Sequence, residues 1–405
     1  MPSRTPSSLQ AAATAPAPAH TQSPPASEKL LLWDIFCQVI DNYGDVGVCW
    51  RLAAQLALRG HSVRLWLDDQ RPLQWMAPGA AQGGWPGISV HDWPSAHYAA
   101  PVPEFPLADV WIEAFGCDIP PAWLQSQVDA AENQGRRPAW INLEYLSAEP
   151  FALSSHGLPS PVLQGPAKGW TKYFFYPGFS PASGGLLPRS DGQAAQPPTW
   201  ANPELAAFAP EASGERTVLL FSYASAPIEA LLQALIASGQ AVQLLVAAGQ
   251  SAQAVRDALA ALPDGRWSQL RLRFLPSLPQ AVFDQLLALC DLNLVRGEDS
   301  LAQAVQAGKP CVWQIYAQVD CAHQPKLQAY LETLAADAPL CAWHAFWNGT
   351  PAASPAPPTL AWPWEANSAW PRHAADVADQ LAQNTDLCSQ LIDWAVLRAA
   401  HPTAR

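Results

Sequence analysis

Short apolar runs alternate with helix-length segments along two stretches of this chain, and the alternation restricts the folds that it can adopt. In the first stretch, residues 30–40 predict a buried strand, residues 46–59 a helix and residues 63–67 a second strand. The same alternation starts again at Thr217 and continues to about residue 336. Strands separated by helices at this spacing are typical of right-handed parallel crossovers, so the sequence predicts an α/β protein with two open sheets.

Composition places the boundaries of these two halves. A chain of 405 residues is long enough for two domains with separate cores, which a hydrophobic content of 49% can fill, while 41 Pro indicate long irregular connections. In chain order we predict a disordered tail at 1–29, an N-terminal Rossmann-like domain at 30–187, a linker at 188–215, a C-terminal Rossmann-like domain at 216–344, a Pro- and Trp-rich loop at 345–372, and C-terminal helices at 373–405 that pack back on the N-terminal domain.

The charge and the cysteines argue against several classes of function. A formal net charge of −12 is unfavourable for non-specific binding to nucleic acid or to an anionic membrane. The first 29 residues lack the apolar block of a secretory signal, and no later run approaches the length of a membrane span, so we expect a cytoplasmic protein. The eight cysteines include no close pair typical of a zinc or redox site, and we expect them to be reduced residues of the core.

A candidate anion site follows the predicted strand at residues 292–295. The strand breaks at Arg296, and a helix begins with Glu298, Asp299 and Ser300. Open parallel sheets bind ligands at the carboxyl ends of their strands, and the N–H groups of a helix start, with an Arg beside them, suit a phosphate. The alternative is that these three polar residues only cap the helix.

Aromatic side chains end the first strand of the same predicted sheet. Phe221 and Tyr223 can stack a nucleobase, while an Arg neutralises a diphosphate and a carboxylate accepts hydrogen bonds from ribose hydroxyls. These groups together predict a nucleotide-sugar site. No P-loop with its Lys occurs, which argues against ATP-style phosphoryl transfer, and the nearby His323 is more typical of a surface residue than of a catalytic one.

The N-terminal half offers a pair of carboxylates. Asp41 and Asp45 lie four residues apart in a loop that contains Gly44-x-x-Gly47, directly after the first predicted strand. Such a pair can act as general base and electrostatic support, because repulsion or burial raises one pKa while the other group stays ionised. The alternative is that one carboxylate caps the following helix. Because the loop lacks the full dinucleotide fingerprint, a nicotinamide cofactor is poorly supported.

Several blocks of the sequence resemble one known family. The chain resembles the elongation factor P arginine rhamnosyltransferases (EarP) in segments that occur in the family's order, at residues 35–52, 143–149, 178–186, 283–287, 295–300 and 307–310. It departs from the family at Ser222, where Gly is common, and at Tyr43, where Phe is common. Neither change removes a chemical group to which a role is assigned.

The resemblance implies a GT-B glycosyltransferase, in which two Rossmann-like domains face each other across a cleft. It further implies transfer of L-rhamnose from dTDP-β-L-rhamnose to one arginine of elongation factor P, with inversion and with no metal or other cofactor, which activates the factor for rescue of ribosomes stalled at polyproline. By motif position, Asp45 is expected to be the general base, Asp41 its support, and Glu298 an essential carboxylate near the donor. The expected donor contacts are Phe221, Tyr223, Gln280, Arg296, Asp299 and Ser300.

Two other functions fit the same residues. One is a GT-B glycosyltransferase or an epimerase that acts on a different nucleotide sugar. The other is a noncatalytic protein that recognises a translation factor. Fold alone does not choose between them, because one architecture supports many chemistries.

Overall fold

The computed structural model describes residues 30–39, 43–93, 105–190, 198–261, 269–318, 321–349 and 361–400. In these residues the chain forms two parallel sheets, one in each half, and the hydrophobic cores lie on both faces of each sheet. The α/β class predicted from the alternation is confirmed. The predicted disordered tail at 1–29 lies outside the described residues.

The N-terminal sheet is organised around its first strand. Its strands are β1 (Leu32–Cys37), β2 (Ser62–Leu67), β3 (Ile88–Asp92), β4 (Val110–Ala114), β5 (Ala139–Leu143), β6 (Pro159–Pro161) and β7 (Thr171–Phe175). Its helices are α1 (Gly44–Leu58), α2 (Leu73–Met76), α3 (Pro121–Gln134) and α4 (Pro150–Ser155), with a 3-10 turn at Ala80–Gln82. The described strands lie in the order β3-β2-β1-β4-β5-β7-β6, and only β6 is antiparallel to its neighbour. The central strand β1 is almost wholly buried, as the apolar run predicted for a sheet covered on both faces.

The C-terminal sheet repeats the same construction with five described strands. They are β8 (Arg216–Leu220), β9 (Val242–Val246), β10 (Leu270–Phe274), β11 (Leu292–Arg296) and β12 (Cys311–Gln314), all parallel, in the order β10-β9-β8-β11-β12. The helices are α5 (Ile228–Ala237), α6 (Gln250–Ala261), α7 (Gln280–Leu289), α8 (Glu298–Gln306), α9 (His323–Thr333), α10 (Ala338–Trp347), α11 (Trp370–Leu381) and α12 (Leu387–Ala400), with a 3-10 turn at Ala206–Phe208.

Both sheets reverse their strand order beside the segments that carry the candidate residues. In the C-terminal sheet the chain proceeds outward from β8 to β10 on one side and from β11 to β12 on the other, so the switch point lies between β8 and β11. In the N-terminal sheet it lies between β1 and β4. Loops that leave the strands at a switch point diverge and leave a crevice for a ligand. Phe221 follows β8, Arg296 ends β11 and Gly44 follows β1, so these residues lie at the two crevices.

The segment at 345–372 is not the continuous loop that the sequence predicted. Helix α10 extends to Trp347, and α11 begins at Trp370. Trp343 is fully buried, and its ring centroid lies 5.1 Å from that of Trp362 and 6.1 Å from that of Trp370. Aromatic packing therefore holds the described part of this segment against the core of the C-terminal sheet, which the Pro content did not indicate.

The two C-terminal helices pack on different domains. Leu387 and Leu391 of α12 are buried in the core of the N-terminal sheet, as expected. In contrast, α11 lies on α8 of the C-terminal domain. The two segments are so close that a Cβ atom added to Gly308, just after α8, would lie 3.4 Å from Cβ of Ala378 in α11. The expectation that this helix packs on the N-terminal domain is therefore wrong. In the predicted linker, Leu205 is fully buried on the C-terminal sheet. The chain thus returns to the N-terminal domain with its last helix.

The cysteines are reduced, but they are not all in the core. All eight are free, and six are buried. Cys321 is exposed and Cys341 is half-buried, so the expectation of core positions is wrong for these two.

None of the helices in the described ranges combines the length and the apolar character that a bilayer span requires.

A buried histidine fixes the edge strand β12. His344 Nε2 accepts a hydrogen bond from the backbone N–H of Trp313 at 3.1 Å, and its Nδ1 lies 3.0 Å from the carbonyl oxygen of Leu340. Burial lowers the pKa of His344 from 6.5 to about 4, although the carbonyl of Leu340 opposes this change. Because the folded state disfavours the charged ring, the stability that His344 contributes is fully present above pH 6.5 and is lost as the pH falls toward 4.

We therefore expect the variant His344→Leu to lose less stability on acidification than the wild type. The wild-type protein should lose about 3 kcal/mol of unfolding free energy through this residue between neutral pH and pH 4. The variant should be less stable at neutral pH, since the N–H of Trp313 loses its acceptor, but its decline should be shallower. Urea unfolding at a series of pH values measures both effects, with His323→Leu as the comparison. If the unfolding free energy of His344→Leu fell with pH as steeply as that of the wild type, His344 would not be the source of this loss of stability.

Candidate active site

A cavity of about 560 Å³ lies between the two domains, where the two switch points face each other. Its N-terminal side includes Tyr43, Gly44 and Gly47 at the start of α1. Its C-terminal side includes the residues predicted there from the sequence, namely Phe221, Tyr223, Gln280, Arg296, Glu298, Asp299 and Ser300. The structure therefore brings all of the predicted residues of the C-terminal half together on one wall.

A cation lies between two aromatic rings on this wall. The guanidinium carbon of Arg296 is 4.7 Å from the ring centroid of Phe221 and 4.7 Å from that of Tyr223. Its Nη1 donates to Oε1 of Gln250 at 3.0 Å. Burial lowers the pKa of Arg296, although the neighbouring Tyr223 opposes this. A planar cation with aromatic faces beside it can bind a diphosphate next to a stacked base.

The phenol of Tyr223 can donate a hydrogen bond to an anion in the same cavity. Burial is the main cause that raises its pKa to about 12; Arg296 opposes the rise, while Glu298 and Asp45 add to it. The hydroxyl is therefore protonated at neutral pH. The influence of Glu298 and Asp45 also indicates that carboxylates from both domains face the space around Tyr223.

The start of α8 presents its polar residues to the cavity and to the opposite domain. The residue before the helix is Gly297, whose φ of 71° favours glycine, and no side-chain cap is formed there. Glu298 and Asp299 lie in the first turn. Their oxygens accept hydrogen bonds from the N-terminal domain, so the alternative in which they only cap the helix is wrong.

Glu298 joins three segments at the mouth of the cavity. Its Oε2 accepts from the backbone N–H of Leu146 at 2.7 Å, and its Oε1 forms an ion pair with Lys326 of α9. Leu146 follows β5 of the N-terminal sheet, so one carboxylate connects the two domains. Lys326 places a second cation near the wall that carries Arg296.

Asp45 lies in the first turn of α1, at the edge of the cavity. The residue that precedes the helix is Tyr43, so Asp45 is not the capping residue that the alternative reading required. Tyr145 Oη donates to Asp45 Oδ2 at 3.4 Å. Asp45 itself is not part of the cavity wall, although its neighbour Gly44 is. The predicted partner Asp41 lies outside the described residues.

Tyr145 contacts Asp45 within the N-terminal domain, and the sequence did not identify it as part of the site. Its ring stacks on Phe115 with centroids 4.7 Å apart, and Phe115 adopts a φ of 59° directly after β4. Burial first, and then the charges of Asp45 and Glu298, raise the pKa of Tyr145. The phenol therefore stays protonated and can only donate to the carboxylate of Asp45.

An ion cluster in the wall of the cavity was also missed. Arg51 of α1 forms ion pairs with Asp284 of α7 and Asp299 of α8, at 2.6 and 2.8 Å. Gln280 Nε2 donates to the carbonyl oxygen of Gly47 at 2.9 Å, again across the cleft. Asp299 and Gln280 thus line the cavity while they contact the N-terminal domain, and their predicted roles in donor binding stay predictions.

One signal in the sequence could have identified Arg51 and Asp284. Each charged residue occupies a position that the helical spacing assigns to the buried stripe, Arg51 beside Leu52 and Asp284 between Phe283 and Leu286. A charge on a buried stripe requires an opposite charge nearby, which predicts a pair without identifying its members.

The comparisons with known proteins agree with this geometry. The family model described as Elongation-Factor P (EF-P) rhamnosyltransferase EarP matches residues 33–396. A protein-arginine rhamnosyltransferase of Pseudomonas aeruginosa is 39% identical over 396 residues, which cover 89% of this chain and 99% of that protein. A protein-arginine rhamnosyltransferase of Pseudomonas putida is 41% identical over 317 residues, which cover 74% of this chain and 80% of that protein.

A solved structure is similar along nearly the whole chain. It is described as the structural basis for EarP-mediated arginine glycosylation of translation elongation factor EF-P, with a TM-score of 0.55 and 26% identity. The match covers 91% of this chain and 99% of the solved one, and the two facing parallel sheets are those of the GT-B fold. Sequence and structure together show that the chain is a glycosyltransferase that belongs to the EarP family of elongation factor P rhamnosyltransferases.

Proposed function

We propose that this chain transfers L-rhamnose from dTDP-β-L-rhamnose to an arginine of elongation factor P, with inversion and without a metal or other cofactor. The protein-arginine rhamnosyltransferases among its relatives, and the arginine glycosylation of EF-P by the solved relative, support the reaction and the acceptor. One observation carries the proposal. A carboxylate that accepts from a tyrosine, Asp45, lies at the edge of a cavity whose other wall holds Arg296 between two aromatic rings.

The acceptor makes a chemical demand that Asp45 can meet. A guanidinium is protonated at neutral pH and is a poor nucleophile, so a carboxylate must orient it and remove a proton as the C–N bond forms. The donated hydrogen bond from Tyr145 to Oδ2 fixes one oxygen of Asp45. The carboxylate of Asp45 can then accept a hydrogen bond from the acceptor nitrogen. The resemblance to the family supports Asp41 as the residue that assists this base.

The donor requires stacking for its base and positive charge for its diphosphate. Phe221 and Tyr223 offer aromatic faces for thymine, and Arg296 offers the positive charge. Inversion needs a single in-line displacement in which the diphosphate leaves from the face opposite to the base. The negative charge that develops on the leaving diphosphate is stabilised by Arg296 and by the Tyr223 hydroxyl. The N–H groups at the start of α8, near Asp299 and Ser300, stabilise it further. Gln280 and Glu298 complete the donor side of the site.

The product is a modified translation factor in the cytoplasm, which we propose is activated for ribosomes stalled at polyproline. Incubation with dTDP-β-L-rhamnose and elongation factor P should add the mass of one deoxyhexose, and fragmentation should locate it on an arginine. The reaction should be insensitive to EDTA. An unchanged acceptor mass with competent substrates would reject the proposal.

Binding measurements separate this function from its two alternatives. Thermal shifts with dTDP-, UDP- and GDP-sugars at equal concentrations should be largest for the dTDP-sugar, because at a given concentration the ligand with the lowest dissociation constant stabilises the folded state most. A preference for UDP or GDP would favour another nucleotide sugar. A noncatalytic protein that recognises the factor would bind it with or without nucleotide and regardless of substitution at Asp45.

The variant Tyr145→Phe should weaken catalysis without weakening donor binding. Removing one hydrogen bond to a charged group is expected to lower kcat about tenfold, since such bonds contribute roughly 1.5 kcal/mol or more. The acid limb of the pH–rate profile should move to higher pH, because the carboxylate of Asp45 loses a donor that favours its charged form. Tyr176→Phe, outside the cavity wall, is the matched control. If the pH–rate profile of Tyr145→Phe were identical to that of the wild type, Tyr145 would have no role in catalysis.

A further inference from the structure

Arg51 connects the helix that begins at the proposed base to two helices of the donor domain. It lies in the middle of α1 with 2% of its surface exposed. Its Nε donates to Asp299 Oδ1 at 2.8 Å, and its Nη2 donates to Asp299 Oδ2 at 3.1 Å. Towards α7, Nη1 and Nη2 donate to the two oxygens of Asp284 at 2.6 and 3.1 Å.

The guanidinium has no hydrogen left for a ligand. An arginine carries five N–H groups. Four of them form the bonds to the two carboxylates, and the fifth is used by a bond from Nη1 to Ser190 Oγ at 2.7 Å. Arg51 borders the cavity, but it acts on a substrate only through the groups that it positions.

The same contacts fasten the point where the chain leaves the N-terminal domain. The backbone N–H of Ser190 donates to Asp284 Oδ2 at 3.1 Å. The guanidinium of Arg189 donates to the carbonyl oxygens of Asp284 and Gln303, at 2.6 and 2.8 Å. Helix α1, the departing chain, α7 and α8 therefore meet around the buried guanidinium of Arg51. We call this contact the Arg51 junction: Arg51, Arg189, Ser190, Asp284 and Asp299.

Within the junction, Arg51 forms the ion pairs with both carboxylates, Asp284 and Asp299. Arg51 is almost completely enclosed by two carboxylates, and although burial lowers its pKa, Asp284 and Asp299 outweigh burial and raise it. One cation thus faces two anions beside the wall proposed to bind a diphosphate. Removing the cation would leave two unpaired carboxylates that repel each other and an anionic donor.

We propose that Arg51 is a positioning residue that makes this junction a fixed pivot between the domains and thereby sets Asp45 against the donor. The inference rests on the proposed function. Asp45 is six residues before Arg51 on the same helix, or about 9 Å along its axis at 1.5 Å per residue. The middle of α1, at Arg51, is buried, whereas its first turn lies at the cavity, so a rotation of one domain about the junction would move the loops at the cavity and leave the junction in place.

The chain supplies a matched control for the loss of a buried ion pair. Arg64 of β2 donates from Nε and Nη2 to the two oxygens of Asp34 in β1, each at 2.6 Å. The side chains of this pair are 7% and 0% exposed, and both lie within the N-terminal sheet. Breaking it costs stability in the same way but does not touch the junction.

The experiment compares Arg51→Lys, Arg51→Met, Asp284→Asn and Arg64→Met. We measure stability by urea unfolding, affinity for dTDP and dTDP-β-L-rhamnose by calorimetry, kcat and KM for transfer, and the radius of gyration by X-ray scattering. Arg51→Met should weaken dTDP binding about tenfold and lower kcat about a hundredfold, since misplacing a reacting group by about 1 Å has effects of that size. Its radius of gyration should increase. Arg51→Lys, which keeps the charge but not the planar fork, should be intermediate.

Asp284→Asn separates geometry from charge, because it loosens the junction without leaving a new unpaired anion. Its kcat should fall while its affinity for dTDP stays near the wild-type value. Arg64→Met should lose stability but keep the wild-type affinity, kcat per folded molecule and radius of gyration.

The Arg51 variants could lose stability but keep the wild-type affinity for dTDP, kcat and radius of gyration, as we expect of Arg64→Met. That result would overturn the proposal that Arg51 positions the domains. A wild-type protein that binds dTDP but transfers no sugar would reject the proposed function instead, and the scattering and dTDP affinities would still decide the role of Arg51.

Discussion

Asp45→Asn should reduce rhamnose transfer by about a thousandfold while the affinity for the donor stays nearly unchanged, as expected for loss of a general base. The amide is nearly isosteric with the carboxylate, and its oxygen can still accept the hydrogen bond from Tyr145. It cannot take a proton from the acceptor guanidinium. The loss should therefore appear in kcat and not in the dissociation constant of dTDP-β-L-rhamnose.

The control for this variant is Asp129→Asn on the surface of α3, where the carboxylate accepts only a hydrogen bond within its own helix among the contacts observed. Single-turnover transfer with saturating donor gives the rate of the chemical step, and calorimetry gives donor affinity. If Asp45→Asn transferred rhamnose at the wild-type rate, the base would have to be a different group. If it failed to bind donor, Asp45 would belong to the donor site.

Arg296→Met should also have a large effect, and it should act on the donor. The guanidinium is the cation between the rings of Phe221 and Tyr223, and a bond from such a group to a phosphate is worth roughly 1.5–3 kcal/mol. Donor affinity should therefore fall about 10- to 100-fold. Arg296→Lys should recover only part of this loss, since a lysine does not present a planar face to both rings.

A second arginine over an aromatic ring provides the matched control. Arg256 lies over Phe274, with its guanidinium carbon 4.7 Å from the ring centroid, at the protein surface. Arg256→Met removes a cation–π contact of the same length, but it should not change donor affinity. Equal affinities in Arg296→Met and the wild type would show that the diphosphate binds elsewhere.

The fold could be predicted because it depends on local patterns. The strands β1, β8 and β11 are buried on both faces, so their apolar runs are nearly continuous, and the helices between them carry an apolar stripe. Helix α10 was not predicted, because it is apolar on most sides and is stabilised by tryptophans from residues 361–370, which lie far along the chain.

The site could be predicted only in part, for a related reason. Arg296 and Glu298 follow a strand directly, so their position at the sheet edge could be inferred. The partners of Arg51 are 233 and 248 residues away, and Tyr145 is 100 residues from Asp45. No periodicity records such pairs, because the pairs of Arg51 form only when the two domains come together, and Tyr145 meets Asp45 only when their strands lie in one sheet.

Two of the hydrogen bonds across the cleft end on main-chain atoms. Glu298 accepts from the N–H of Leu146, and Gln280 donates to the carbonyl of Gly47. Main-chain groups survive substitution of the side chains that surround them, so either domain can diverge in sequence while these bonds persist. Chimeras that exchange whole domains between relatives should then still dock. At Gly47 a Cβ atom would lie 3.0 Å from Gln280 Nε2, so a larger residue there would displace the Gln280 amide and weaken its hydrogen bond to the Gly47 carbonyl.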